Sequence, residues 1–387
     1  MKMPTDAIRE EIRQSGAITF ARFMELALYC PETGYYEKNL DKVGHAGDFI
    51  TSVSTGSLFG ELLAFQFAEW LEEMRSAECG LRIVEAGAHD GKLAADILRW
   101  LQTHRQKLFS EIEYVILEPS PRRQEWQQET LKKFPNVRWI SRFNPPSLRS
   151  GAAGDSTIQR FNGIIFSNEL LDAFPVRHLG WSAKEKSWFE WGVALAGEDL
   201  VWTQLPERWL PAGEFVTPAG KMPALQLPSS ILHLPSLLLD VLPDGYTIED
   251  SPAAESWWRE AAGIFTHGKL LAIDYGFTAA EQFSPARTRG TLRAYDRHRV
   301  SDDLLAQPGE QDLTAHVNFS AIQTAGEQAG LKTENFCTQP QFLTRILQKA
   351  VTEKCFASLD AKQVRQFQTL THPEHLGRAF RVLVQSR

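Results

Sequence analysis

The sequence has few cysteines, no excess of basic charge and no long apolar run. Four cysteines occur among 387 residues. None belongs to a C-x-x-C pair or lies near a histidine at zinc-ligand spacing, so neither a disulfide scaffold nor a zinc site is indicated. The formal net charge of −7 gives no support to a nucleic-acid partner. A small molecule or a protein is therefore the expected partner.

Membrane and export signals are also missing. The chain contains no apolar run of about 20 residues, the length that spans a bilayer. The N-terminal residues carry acids and lack the apolar stretch of a signal peptide. We therefore expect no membrane span and a cytoplasmic location. A chain of this length fits two domains, or one α/β domain with large insertions. The sequence does not indicate an oligomeric state.

Residues 82–101 combine the patterns of a strand, a glycine turn and a helix. A short apolar run ends in Glu85, glycines follow at Gly87 and Gly91, and apolar residues then recur at helical spacing. Glycine lets a ligand approach the backbone, and a helix N-terminus offers N–H groups. An acid at the strand end suits hydroxyls or an ammonium better than a phosphate. The turn therefore differs from the dinucleotide fingerprint, which disfavours an NAD-linked oxidoreductase.

A second acid, Glu118, closes the next predicted strand, residues 112–117. An acid at this place in a Rossmann-like sheet can accept hydrogen bonds from ribose hydroxyls. The structural alternatives are an ordinary strand-to-helix turn at residues 87–91 and a solvated glutamate before a proline turn. The two landmarks together favour a cofactor site.

A third polar group follows the predicted strand at residues 163–166. Asn168, Glu169 and Asp172 come directly after it, and ligands of open α/β sheets bind beyond the carboxyl ends of strands. Alternatively, the two acids stabilise the start of a helix, an effect of about 0.3 to 1 kcal/mol. We favour a role in the chemistry.

The pattern as a whole predicts an α/β fold with a Rossmann-like sheet and two additions. Residues 1–80 form a helical extension and an aromatic loop, which is either a cofactor lid or a packed flap. Residues 81–180 and 246–387 form the two parts of the core. Residues 181–245 form an inserted β-ribbon and helical subdomain for a substrate or partner.

Matches to one family extend over most of the chain. The spacing Glu85-x-Gly87-x-His89-x-Gly91 is that of the first motif of S-adenosylmethionine (AdoMet) methyltransferases, with His89 in place of a glycine. The other matching stretches are residues 34–36, 47–52, 59–61, 168–176, 273–276, 290–292 and 308–317, with His298. Together they resemble the MidA family of AdoMet-dependent methyltransferases, which includes the mitochondrial complex I assembly methyltransferase.

The resemblance implies a class I methyltransferase sheet of seven strands, the last one antiparallel, with AdoMet as cofactor. It implies methylation of a protein side chain, with arginine favoured and a respiratory complex subunit as the precedent. Glu169 and Asp172 are then the catalytic residues, since a carboxylate that pairs with a guanidinium fixes its plane and leaves another nitrogen more nucleophilic. The expected cofactor-binding residues are Gly47, Asp48, Phe49, Thr51, Glu85, Gly87, His89, Gly91, Glu118 and Asn168.

The sequence departs from the family at three positions. Val53 and Ser54 replace a proline and a glutamate, and His89 replaces the motif glycine. We interpret His89 as a turn residue that tolerates an unusual φ rather than as a catalytic group. These departures favour the alternative function, a non-catalytic assembly factor that retains the fold.

A metal site is a further hypothesis for the C-terminal half. Asp312 and His316 are four residues apart and would share a helical face, and His298 could join them. No third ligand lies close in the sequence. We expect a structural hydrogen-bonded cluster and no metal.

Overall fold

A computed structural model describes residues 3–38, 51–75, 80–143, 160–206, 239–284, 287–296, 299–356 and 359–387. The strands of these ranges, numbered in chain order, are β1 (Ala17–Thr19), β2 (Leu81–Ala86), β3 (Ile112–Leu117), β4 (Val137–Ile140), β5 (Phe161–Asn168), β6 (Arg177–Ser182), β7 (Ser187–Ala196), β8 (Asp199–Gln204), β9 (Thr247–Asp250), β10 (Phe265–Phe277), β11 (Arg293–Asp296), β12 (Arg299–Ser301), β13 (Asp312–Thr314), β14 (Val317–Asn318), β15 (Lys332–Thr338) and β16 (Phe380–Ser386).

Helices connect most of these strands. They are Pro4–Ser15, Phe20–Tyr29, Tyr35–Lys38, Leu58–Glu73, Lys92–His104, Gln106–Glu111, Pro121–Leu131, Pro252–Ile264, Ala279–Gln282, Phe319–Gln328, Gln339–Thr352 and Ala361–Thr371. No helix within the described ranges is both long enough and apolar enough to cross a membrane.

The chain divides into two compact units, and the second contains the main sheet. This unit comprises Leu40–Leu171, Trp257–Gly276 and Gln323–Arg387. Seven of its strands are hydrogen-bonded in the order β15-β16-β10-β5-β2-β3-β4. From β10 to β4 all neighbours are parallel, whereas β16 is antiparallel to both β10 and β15. The predicted α/β fold with a mostly parallel sheet is confirmed.

The parallel strands are apolar runs because they are buried on both faces. β2 and β3 are each buried at every position except the second. β5 approaches β2 so closely that one position admits only glycine. A Cβ atom on Gly163 would lie 1.9 Å from the carbonyl oxygen of Arg82, its partner in the register. The tight packing fixes the carboxyl ends of β2, β3 and β5 side by side.

The first unit comprises Met1–Asn39, Asp172–Ser256 and Phe277–Ile322. It contains an antiparallel sheet in the order β1-β7-β6-β9, with β8 paired to β7, and a smaller sheet in the order β12-β11-β13. The ribbon expected within residues 181–245 is thus part of a larger sheet, since β1 pairs with β7 and β9 with β6. The domain boundaries inferred from the sequence stay predictions.

Candidate functional site

The glycine turn after β2 adopts the left-handed conformation at three positions. Gly87 has φ 75°, His89 has φ 46° and Gly91 has φ 80°. A Cβ atom on Gly87 would lie 2.9 Å from the side chain of Leu170, so a side chain there would require its neighbour to move. His89 adopts a conformation that is uncommon outside glycine. The turn leads directly into the helix Lys92–His104, and a helix N-terminus offers N–H groups to a ligand. The role of the turn as part of the cofactor site stays a prediction.

Glu85 lies at the penultimate position of β2 and is 3% exposed. Burial raises the pKa of Glu85 to about 7, although the hydrogen bond from Tyr114 opposes the shift. In that bond the Tyr114 hydroxyl donates to Glu85 Oε2 at 2.6 Å. A carboxyl with a pKa near neutrality can be present in either form at physiological pH, and its ionised form suits an ammonium group.

Glu118 follows β3 and is 1% exposed. Its Oε1 accepts hydrogen bonds from Ser120 N at 2.9 Å and pairs with Arg123 at 3.0 Å. Its Oε2 accepts from Gln127 Nε2 at 3.1 Å. The same Gln127 nitrogen donates to the carbonyl oxygen of His89 at 3.1 Å. The structure therefore brings the glycine turn and Glu118 together through one glutamine, which sequence reasoning missed.

Asn168 and Glu169 end β5 and begin the segment after it. Asn168 Nδ2 donates to Glu169 Oε1 at 3.1 Å, and Ser52 N donates to the same oxygen at 3.2 Å. Glu169 has φ 51°, and its own N–H donates to the carbonyl of Ile273. These contacts fix the direction of the Glu169 carboxylate at the edge of the sheet.

Asp274 organises this turn from the neighbouring strand β10. It is fully buried, and its carboxylate accepts from the backbone N–H groups of Leu170, Leu171 and Tyr275 at 3.1, 2.8 and 2.8 Å. Burial raises the pKa of Asp274 to about 7, the backbone hydrogen bonds lower it, and the Glu169 carboxylate raises it further. Asp274 is absent from the site residues predicted above, although an acid at the end of a buried strand is a signal that the sequence contains.

Residues 51–58 are held by the last two helices of the chain. Thr51 and Ser54 exchange hydrogen bonds, with Ser54 N donating to Thr51 Oγ1 and Thr51 N donating to Ser54 Oγ. Ser52 Oγ donates to Gln339 Oε1 at 3.2 Å, and Leu58 N donates to Gln366 Oε1 at 3.1 Å. The departure from the family at Ser54 therefore contributes to the local structure. The other predicted ligands of this region, Gly47, Asp48 and Phe49, lie outside the described residues.

Asp172 belongs to the first unit, where it lies near tyrosines and a second acid. The Tyr36 hydroxyl donates to Asp312 Oδ1 at 2.7 Å. Burial raises the pKa of Tyr36 well above its usual value, and the charges of Asp312 and Asp172 raise it further. Burial also raises the pKa of Tyr295, as do the charges of the same two acids. Acids and phenol rings thus share one environment around Asp172.

The helical arrangement considered for Asp312 and His316 is wrong. Asp312 begins β13, and His316 lies between β13 and β14. Neither residue lies in a helix, so the two side chains do not share a helical face. His316 N donates to Thr291 Oγ1 instead. His298 lies outside the described residues.

The residues at the sheet edge fit an adenosyl cofactor. They include a glycine turn, two acids that end adjacent strands, and Asn168, whose buried Oδ1 has no hydrogen-bond partner in the described part of the chain. An acceptor of this kind suits the ammonium group of an amino acid. A mostly parallel sheet with these residues at its carboxyl edge is the arrangement that the MidA resemblance implies for the class of AdoMet-dependent methyltransferases.

Comparison with known proteins gives the family. The model of an S-adenosyl-L-methionine-dependent methyltransferase family matches residues 62–337, and the chain belongs to this family. The MidA resemblance is thereby confirmed. The protein is an AdoMet-dependent methyltransferase.

Curated relatives and solved structures agree with this assignment. The chain is 27% identical over 395 residues to the protein arginine methyltransferase NDUFAF7 homolog of Drosophila melanogaster, covering 97% of this chain and 83% of that protein. It is 26% identical over 391 residues to NDUFAF7 of Homo sapiens, covering 96% and 80%. It is also similar to a Burkholderia thailandensis crystal structure with bound S-adenosyl-homocysteine, with a TM-score of 0.78, 29% identity and coverage of 99% and 92%.

The expected cytoplasmic location is wrong. The relatives from Drosophila melanogaster, Danio rerio and Homo sapiens are all named mitochondrial. The expectation rested on the composition of the N-terminal residues, and that composition does not decide the location.

Proposed function

We propose that this methyltransferase modifies a protein, with the guanidinium group of an arginine as the methyl acceptor. The proposal has two lines of support. The relatives are named as protein arginine methyltransferases, and the Glu169 carboxylate is suited to pair with a guanidinium group. Asp172, three residues later in the sequence, is the second catalytic acid of the proposal. A respiratory complex subunit as the acceptor protein stays a prediction.

The observation that carries the proposal is the fixed carboxylate of Glu169. Ser52 N and Asn168 Nδ2 both donate to its Oε1, and Asp274 holds the backbone that follows it. A carboxylate oriented in advance can accept two N–H groups of a guanidinium without reorganisation. This contact would fix the guanidinium plane.

AdoMet supplies an electrophilic methyl group. Glu169 draws positive charge toward the guanidinium edge that it contacts, so the lone pair of another nitrogen becomes more available. As the N–C bond forms, the bond from the methyl carbon to sulfur breaks, and S-adenosyl-homocysteine is the second product. The methylated nitrogen then loses one proton to water or to a carboxylate. The acceptor remains a cation throughout, which suits an acidic site.

The surroundings of Asp172 support a cationic acceptor. The charges of Asp172 and Asp312 both raise the pKa of the Tyr36 and Tyr295 hydroxyls. The planar guanidinium group pairs with carboxylates and stacks on aromatic rings, whereas the compact ammonium of lysine pairs mainly as a point charge. Carboxylates and phenol rings are thus the kinds of group that a guanidinium pairs with and stacks on.

The test compares two glutamate variants of the second unit. Glu169→Gln should leave the Kd for S-adenosyl-homocysteine within about twofold of wild type and should reduce turnover by at least about a hundredfold, since the amide keeps the shape and loses the charge. The exposed Glu374→Gln variant is the control and should leave both quantities unchanged.

The acceptor can be sought by incubating a lysate of cells that lack this protein with labelled AdoMet and the enzyme. Mass spectrometry should place the new methyl group on arginine in a labelled protein. A methyl group on lysine, on glutamine or on a small molecule would contradict the proposal. So would a Glu169→Gln enzyme that labels the same band at the wild-type rate.

A further inference from the structure

Gln127 is a buried glutamine on an otherwise polar and largely exposed helix. The helix Pro121–Leu131 buries only Gln127 and Leu131, and Gln127 is 0% exposed. A buried amide costs stability unless its donors and its acceptor are all paired. An apolar residue would fill the same space at lower cost. The presence of an amide therefore calls for an explanation in terms of its contacts.

The orientation of this amide follows from its neighbours. Trp139 Nε1 lies 3.0 Å from Gln127 Oε1, and an indole N–H can only donate. The atom that faces Trp139 must therefore be the amide oxygen. The amide nitrogen then faces two acceptors, the His89 carbonyl oxygen and Glu118 Oε2, each at 3.1 Å. Both the oxygen and the nitrogen of the Gln127 amide are therefore paired, with Trp139 in β4, His89 after β2 and Glu118 after β3.

The hydrogen bonds from Gln127 stabilise the positions of both acceptors, the His89 carbonyl oxygen and the Glu118 carboxylate. His89 has φ 46°, a conformation that costs energy outside glycine and persists only when its surroundings support it. Glu118 has its other oxygen held by Ser120 N and Arg123. A carboxylate oxygen can accept more than one hydrogen bond, so the bond from Gln127 is compatible with a ribose hydroxyl on the same oxygen.

We propose that Gln127 is a positioning residue for AdoMet. It fixes the distance between the glycine turn and the ribose-binding carboxylate, so both are in place before the cofactor arrives. The inference rests on the assignment of the ribose to Glu118, which the experiment must test separately. Gln127 itself touches neither the reacting methyl group nor the acceptor.

The experiment uses S-adenosyl-homocysteine as the probe, titrated calorimetrically into wild type and Gln127→Glu at pH 5.5 and pH 8. An ionised glutamate cannot donate, and it repels Glu118. At pH 8 the Kd of the variant should exceed that of wild type by at least about tenfold. At pH 5.5 the two acids can share a proton, and the excess should shrink to a few-fold.

The neighbouring residue provides the matched control. Gln128 is exposed on the same helix, so Gln128→Glu adds the same charge without reaching His89 or Glu118. Its Kd should equal that of wild type at both pH values. A merely structural role for Gln127 would lower stability and weaken binding equally at both pH values, and that result would overturn the inference.

Two further variants keep the inference testable if Gln127→Glu does not fold. Gln127→Met keeps the length, removes both donated bonds and adds no charge, so its Kd should rise about tenfold at either pH. A Met variant that binds like wild type would refute the positioning role. Glu118→Ala separates the two assumptions. If Gln127→Met and Glu118→Ala both bind S-adenosyl-homocysteine like wild type, the assignment of the ribose to Glu118 is wrong. If Glu118→Ala binds more weakly and Gln127→Met binds like wild type, only the role of Gln127 is rejected.

Discussion

Replacing Glu85 with glutamine should stabilise the protein at alkaline pH and weaken cofactor binding. Burial raises the pKa of Glu85 from 4.5 to about 7 in the folded protein. Between pH 4.5 and pH 7 the folded state binds more protons than the unfolded state. The free energy of unfolding therefore falls as the pH rises through this range, and it falls no further once the pH is well above 7. Glutamine removes the buried charge and keeps an oxygen that can accept from Tyr114.

The size of the effect follows from the pKa shift. At about 1.4 kcal/mol per pKa unit, the buried charge costs about 3 kcal/mol at pH 8 and less than about 1 kcal/mol at pH 5. Glu85→Gln should therefore raise the free energy of unfolding by about 2 to 3 kcal/mol at pH 8 and change it little at pH 5. Urea denaturation at the two pH values measures the difference.

Cofactor affinity should change in the opposite direction. If the ionised Glu85 attracts the ammonium group of AdoMet, Glu85→Gln should bind S-adenosyl-homocysteine at least about tenfold more weakly at pH 8. Glu190 provides the control, because it is fully buried in the first unit and burial raises the pKa of Glu190 to about 7. Glu190→Gln should give a similar gain in stability with unchanged affinity. An equal stability change at pH 5 and pH 8 would refute the reasoning.

Three other predictions test separate parts of the second unit. Glu118→Ala should raise the Kd for S-adenosyl-homocysteine at least tenfold, because each charge-assisted hydrogen bond is worth about 1.5 to 3 kcal/mol; an unchanged Kd in calorimetry would remove the ribose assignment. Asp274→Asn turns an amide donor toward backbone N–H groups that the carboxylate accepts from, so turnover should fall. Wild-type turnover would show that the turn is held by other contacts. Gly163→Ala should lose about 1 to 3 kcal/mol of stability by overpacking, whereas Gly263→Ala, with open space around the new methyl, should lose none.

The acids that end strands could be located from the sequence alone. Glu85 and Glu118 follow apolar runs, and a parallel sheet places the ends of neighbouring strands at one edge. Glu169 was found by the same reasoning. These residues are predictable because their positions depend on local pattern and on a single rule of topology.

The supporting residues could not be found in this way. Gln127 donates a hydrogen bond to His89, which lies 38 residues earlier in the chain. Asp274 accepts a hydrogen bond from Leu170, which lies 104 residues earlier. No local pattern encodes such distant contacts. The start of the helix Ala361–Thr371 does have a local signal, the capping box that Asp360 and Gln363 form, but none of the sequence predictions used it.

The contacts of residues 51–58 bear on when the site can form during synthesis. Ser52 and Leu58 are held by Gln339 and Gln366, which lie 287 and 308 residues later in the chain. A ribosome releases the N-terminal part of the chain first, and contacts of long sequence separation form late because they close large loops. The nascent chain therefore lacks these supports until the last helix has been made. If Thr51 belongs to the cofactor site, as the sequence predicts, tight binding of AdoMet should begin only after Gln366 has left the ribosome.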